Sequence, residues 1–152
     1  MLAVVRIRGT VNRFIEIKDT MDMLRLSKVN NCVLVPEKNE YLGMLRKAKD
    51  FITWGKIDKE TLSKLLEKRC KLLGDKNLSL EELKEITDFD DFDSFADALI
   101  DGKAKLKDYN RIKSVFRLNP PKKGFRSTRT PFPKGDLGNR NEKINELLER
   151  MI

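Results

Sequence analysis

Between Arg117 and Arg140, 24 residues hold seven Lys and Arg, one Asp, four of the chain's five prolines and three of its eight glycines. Ammonium and guanidinium groups spaced along a Pro-stiffened chain can follow a phosphate backbone and release its condensed counterions, so the chemistry they offer is neutralisation of a polyanion. The segment has almost no aliphatic residues to offset the entropy of ordering it, and its prolines withhold donors from a helix or central strand. A polyanion outside the chain is therefore expected to order it. Within it, Lys122, Lys123, Arg126, Arg129, Lys134 and Arg140 are the expected phosphate contacts. Phe125 and Phe132, flanked by basic residues and prolines, are expected to stack on bases or to pin the segment to the domain.

Other chemistries lose their usual residues. The chain contains no histidine, which removes the common general base near neutral pH, the common zinc ligand and the Ser-His and Cys-His nucleophile pairs. The acidic run Asp88–Asp93 imitates a calcium loop, but Asp93 stands where the loop needs Gly, and Leu99 where it needs Glu. These carboxylates are instead expected beside helix N-termini, where the macrodipole favours them. Glycines are scattered and no Gly-Lys-Ser/Thr occurs, so no phosphate loop is expected. The reading is a chain with no catalytic residue, no metal site, no cofactor and no small-molecule substrate.

A net charge of +8 with 37% charged residues favours nucleic acid or an anionic membrane surface as partner. Apolar runs such as Cys32–Val35 fall far short of the roughly 20 residues a spanning helix needs, and the start of the chain lacks a signal-peptide pattern, so a cytoplasmic protein without a membrane partner is expected. Cys32 and Cys70 read as reduced, partly buried thiols. By segment the net charge is +7 over residues 1–74, −8 over 75–101, +4 over 102–116, +6 over 117–140 and −1 over 141–152. An acidic module thus interrupts a basic protein, and it is expected to face solvent or a basic neighbour.

The elements that must position these charges are legible from periodicity. Residues 1–57 read as β-α-β-α-β: a strand at Leu2–Arg8, a helix at Thr20–Lys28 capped by Asp19 or Thr20, a buried strand at Cys32–Val35, a helix at Asn39–Lys49 and an extended run at Phe51–Ile57. The expected solution is an α+β core, a small sheet with both helices on one face. If those helices cover the Val5/Ile7 face of the first strand, alternation leaves Arg6 and Arg8 on an open basic face, with Arg13 in the following loop. Arg46, Lys47 and Lys49 form the outer face of the second helix, and Trp54 stands among the candidate RNA contacts, although a Trp in such a run is more often core than a base-stacking platform. Residues 58–110 read as a helical, acidic insertion: a helix from Asp58 to near Gly74, a capping box at Ser79–Glu82, and a helix from Ser94 to Asp101 stopped by Gly102. Residues 111–152 supply a strand at Ser114–Leu118, the basic arm, and a last helix capped by Asn141 that packs back on the core.

Together these residues resemble the large-subunit ribosomal protein thirty family in its long archaeal and eukaryotic form. The resemblance rests on Thr20-Met21, Leu24, Leu26, Lys28, Asn31 and Val33, then, after ten residues, Met44-Leu45, Ala48, Phe51 and Ile52. Ile52-Thr-Trp-Gly55 and Gly135-Asp-Leu-Gly-Asn-Arg140 look like the long form too. It covers nearly the whole chain, the acidic insertion being its least diagnostic part. The resemblance implies a ferredoxin-like half, no enzymatic activity, and a structural place in the large ribosomal subunit in contact with large-subunit rRNA, near 5S rRNA and among neighbouring ribosomal proteins. Carried onto this chain, the RNA contacts are Arg6, Arg8, Arg13, Arg46, Lys47, Lys49 and residues 117–140. The basic N-terminal extension of the eukaryotic members is missing, which favours an archaeal-type member. The reading from another class is a non-ribosomal RNA-binding regulator.

Overall fold

The computed structural model describes residues 1–10 and 15–152. The expected alternation holds through the first third: β1 (Leu2–Arg6), α1 (Ile15–Met23), β2 (Asn31–Val35), α2 (Asn39–Lys47) and β3 (Ile52–Lys56). Then come α3 (Lys59–Arg69), α4 (Leu80–Ile86), α5 (Phe92–Ile100), β4 (Val115–Arg117), β5 (Gly138–Asn139) and α6 (Ile144–Met151). The protein is α+β. β1 lies between β2 and β3, antiparallel to both, with Val4 opposite Val33 and Trp54. β4 joins β2 antiparallel and β5 joins β3 in parallel, giving the order β4-β2-β1-β3-β5.

Alternation along β1 divides the core in two. Leu2 and Val4 pack with Met21, Leu26, Leu45, Phe51 and Ile52 under α1 and α2. Ala3 and Val5 point to the other side, among Leu62, Leu65, Phe95, Leu99, Phe116, Ile144 and Leu148. Both helices of the β-α-β-α-β unit do share one face, but it is the face of Leu2 and Val4, and α3, α5 and α6 close the opposite one. Every residue of β1 is therefore buried. The open Arg6/Arg8 platform does not exist, because period-2 alternation puts Arg6 on the same side as Leu2 and Val4, beneath α1.

Helix starts follow the expected local chemistry at one site and depart from it at others. Lys38, not Asn39, stands at the N-cap of α2, and α5 begins at Phe92 behind Asp91 and not at Ser94. Asn141 lies in a short 3-10 turn ahead of α6 and does not cap it. Ser79 and Glu82 form the expected capping box of α4, and the flanking staple residues Leu78 and Leu83 are both buried. Thr20 is not a cap. It sits inside α1, its hydroxyl donating to the Glu16 carbonyl at 2.7 Å, and the helix ends before Arg25, whose φ is +58°. Asp58 occupies the N-cap position of α3, yet its carboxylate accepts from Asn145 Nδ2 at 2.7 Å, while Asn145 Oδ1 accepts from Asp58 N at 3.1 Å. A cap competes here with a tertiary bond to α6, and the bond to the buried Asn145 wins. The same amide also donates to the Lys56 carbonyl at 3.2 Å and the Glu142 carbonyl at 2.9 Å, so one side chain joins β3, α3 and α6.

Gly55 is the contact point between β3 and the chain ahead of α6. A Cβ there would stand 1.9 Å from the Asn141 carbonyl oxygen and 2.9 Å from Ile144 Cβ. Gly55→Ala is expected to destabilise the protein by about 3 kcal/mol, the upper part of the overpacking range, because the clash is with backbone. Equilibrium urea unfolding checks it; a variant indistinguishable from the parent would mean that the 141–144 segment can move aside. Cys32 and Cys70 are free and buried, and burial pushes both thiols up to about 12, so neither is a thiolate near neutral pH.

Candidate nucleic-acid interface

The arm is held by two side chains that composition did not single out. Asp136, its one acid, is buried, and its Oδ2 accepts from the backbone N–H of Arg126 at 2.5 Å and of Ser127 at 3.3 Å. Its Oδ1 pairs with Arg140, also buried, at four residues' separation. From α6, Arg150 donates to the Lys122 carbonyl from Nε at 2.9 Å and from Nη2 at 2.8 Å, and to the Gly124 carbonyl as well. The Lys122 N–H answers by donating to the Arg150 carbonyl at 2.9 Å. The arm thus has an internal hydrogen-bond scaffold where none was expected. One buried carboxylate and one guanidinium satisfy several backbone groups each, which replaces the missing apolar core. The signals were available: a lone Asp among seven cations, and an Arg in the last turn of the closing helix.

The scaffold presents charge outward. Of the seven Lys and Arg in 117–140, Arg140 pairs with Asp136 and Arg117 lies 3.5 Å from Asp75. Lys122, Lys123, Arg126, Arg129 and Lys134 are exposed and form no ion pair among the described residues. Arg126 makes one bond, from Nη1 to the Pro133 carbonyl at 3.2 Å. Five uncompensated cations on one tethered loop are what phosphate neutralisation needs.

The remaining expected contacts divide. Arg46 and Lys49 are exposed at the end of α2 without an ion pair among the described residues, whereas Lys47 pairs with Glu16 at 3.1 Å. Arg8 is half-buried, its guanidinium 5.7 Å from the Phe51 ring centroid and donating to the Asp50 carbonyl at 3.4 Å. Arg13 lies outside the described residues. Arg6 is only 6% exposed: Nη1 donates at 2.6 Å to the carbonyls of Leu26 and Ser27, Nε to Arg8 O at 2.9 Å and Nη2 to Thr10 Oγ1 at 3.1 Å. Burial also lowers its pKa below the ordinary arginine value. Its donors are spent on stitching β1 to the turn before β2, so it has little left for a phosphate.

Trp54, 7% exposed, packs with the α1/α2 core and offers no open ring face for a base. Phe125 is partly buried against the larger core, so it pins the arm. Phe132 is half-buried with the Arg140 guanidinium 5.3 Å and Lys143 Nζ 6.0 Å from its ring centroid. Cations already cover that ring, and its attraction for them holds the base of the arm.

A second basic feature went unnamed in the sequence. A cleft of about 460 Å³ is lined by Arg25, Lys28, Lys107, Lys113 and Arg117, with Tyr109 and Leu73 among its walls. Its signal was the +4 of residues 102–116, but the Arg25 and Lys28 half comes from a turn far away in the chain, and only the β2–β4 pairing brings the halves together.

The chain is similar to known proteins along its whole length. Residues 2–52 match the family described as ribosomal protein L30p/L7e. Proteins named large ribosomal subunit protein uL30 are similar throughout: that of Methanocorpusculum labreanum is 45% identical over 152 residues, that of Archaeoglobus fulgidus 46% over 151 and that of Methanoculleus marisnigri 48% over 152, each alignment covering 99% of both chains.

Proposed function

Since the chain belongs to the ribosomal protein L30p/L7e family of large-subunit proteins, we propose that it binds large-subunit rRNA, near 5S rRNA, through the tethered basic arm. The family is one of structural ribosomal proteins, and this chain is read as a non-catalytic member that supports assembly of the archaeal-type large subunit in the cytoplasm. The single observation that carries the reading is the set of five exposed cations at 122, 123, 126, 129 and 134 that form no ion pair among the described residues. Arg46 on α2 and Lys49 in the turn that follows it extend the same chemistry.

The arm reads the RNA through phosphate positions and shape, since it offers charge without an open aromatic face. Because Asp136 and Arg150 hold it before binding, less ordering entropy is lost than for a free tail. The acidic run of the insertion, Glu81–Asp101, takes no part in RNA contact and faces solvent or a basic ribosomal protein. Large subunits carrying the tagged protein are expected to retain it through a high-salt wash. Complete release at moderate salt would overturn the assignment to an integral component and favour a free RNA-binding regulator.

A further inference from the structure

We propose that the cleft beside β4 is a binding site for a single unpaired nucleotide of RNA. The proposal rests on the reading above that this protein binds RNA, and it adds a second site of a different kind.

Three parts of the chain converge on the cleft: the α1–β2 turn with Arg25 and Lys28, the hairpin carrying Leu73, and residues 106–117 leading into β4. They are fixed to one another. Arg25 Nη1 donates to Ser114 Oγ at 2.7 Å, Leu73 N donates to the Arg111 carbonyl at 2.9 Å and Lys113 N to the Lys71 carbonyl at 2.8 Å. Five cations line the walls, and among the described residues the carboxylate that pairs with them is Asp75, 2.6 Å from Lys113 and 3.5 Å from Arg117. Burial, and then the charges of Asp88 and Asp108, raise the pKa of Tyr109. Lys28 and Lys107 are exposed and in no ion pair among the described residues. A volume of about 460 Å³ falls in the range of small-ligand sites, roughly 300–1,000 Å³.

Charge alone would suit any phosphate; the apolar residues narrow the ligand. Leu73 is 66% exposed, although nothing in the core requires a large apolar side chain there. It is held out by a tight turn in which Gly74 and Asp75 both take positive φ, +97° and +63°. Tyr109 is half-buried and steadied edge-on against Phe95, centroids 5.7 Å apart. An apolar and an aromatic side chain beside exposed lysines suit a base with its own phosphate attached. An unpaired, extruded nucleotide is the form in which RNA exposes a base face to protein.

The test compares a short RNA duplex carrying one bulged nucleotide with the fully paired duplex of the same length, each titrated against the whole protein. Base contact with Leu73 and Tyr109 is expected to make the bulged duplex bind about tenfold more tightly. Leu73→Ala combined with Lys107→Ala, both at exposed positions, is expected to abolish that preference while leaving paired-duplex affinity within about threefold, as one lost phosphate contact allows. Equal binding of the two duplexes by the parent, or a preference that survives in the double variant, would overturn the nucleotide site and leave arm-mediated binding intact. No binding of either duplex would overturn both readings. Competition by poly-glutamate as effective as by the bulged RNA would also overturn it, assigning the cleft to an acidic protein segment.

Discussion

Asp136→Ala is expected to cost about 3–5 kcal/mol of stability, more than any other single substitution in the arm. The carboxylate accepts from the Arg126 and Ser127 N–H groups and from Arg140, and both members of the ion pair are buried. Removing it leaves the Arg140 guanidinium, 6% exposed and with Nε already lacking a partner, as an uncompensated charge in low dielectric. The buried pair itself is weak evidence of stabilisation; the large effect comes from breaking one half of it. Thermal unfolding should fall by roughly 10 °C for a chain of this size. Asp136→Asn keeps an acceptor for the backbone donors and should lose less than the Ala variant. A loss under about 0.5 kcal/mol for Asp136→Ala would mean that water reaches Arg140 and that the arm does not depend on this residue.

The arm's cations should show the converse pattern. Replacing Lys122, Lys123, Arg126 and Arg129 with Ala removes four exposed side chains that the described fold scarcely uses, so the melting temperature should hardly move. RNA affinity should fall steeply, with the slope of log affinity against log salt reduced by about 3, at 0.7–0.9 for each phosphate contact. An unchanged slope would show that these groups do not meet phosphates. A collapse of thermal stability would place them in the fold. The two experiments together separate the scaffold of the arm from the charge it displays.

Much of this was legible in the sequence, and the boundary of legibility is physical. Period-2 and period-3.6 patterns located β1 to β3 and α2, and the Ser79–Glu82 box announced α4, because those signals are local; α1 lies at Ile15–Met23, several residues ahead of the expected Thr20–Lys28. Which face α1 and α2 cover was not local. Alternation alone allows either, and the opposite choice buried Arg6 where an open platform was expected. Trp54 went to the core, the side its apolar area favours. The arm's order was hidden for a further reason: Asp136 and Arg150 act through single hydrogen bonds to distant carbonyls and amides, which leave no periodicity. The cleft is the extreme case, since Arg25 and Lys107 become neighbours only when β4 has paired with β2.

The sheet order carries a consequence for synthesis. Both outer strands come from the last part of the chain: β4 begins at Val115 and β5 at Gly138, while β1, β2 and β3 are complete by Lys56. The Thr53 hydroxyl waits for a carbonyl 85 residues downstream. On the ribosome that makes it, the nascent three-stranded unit therefore leaves the exit tunnel with two unpaired edges and one bare apolar face. Such edges invite pairing with other chains, and the contacts that close them are long-range and slow to form. The last strand and the closing helix thus act as the completion step of folding, and a truncated nascent chain is the species most exposed to aggregation and to chaperone capture.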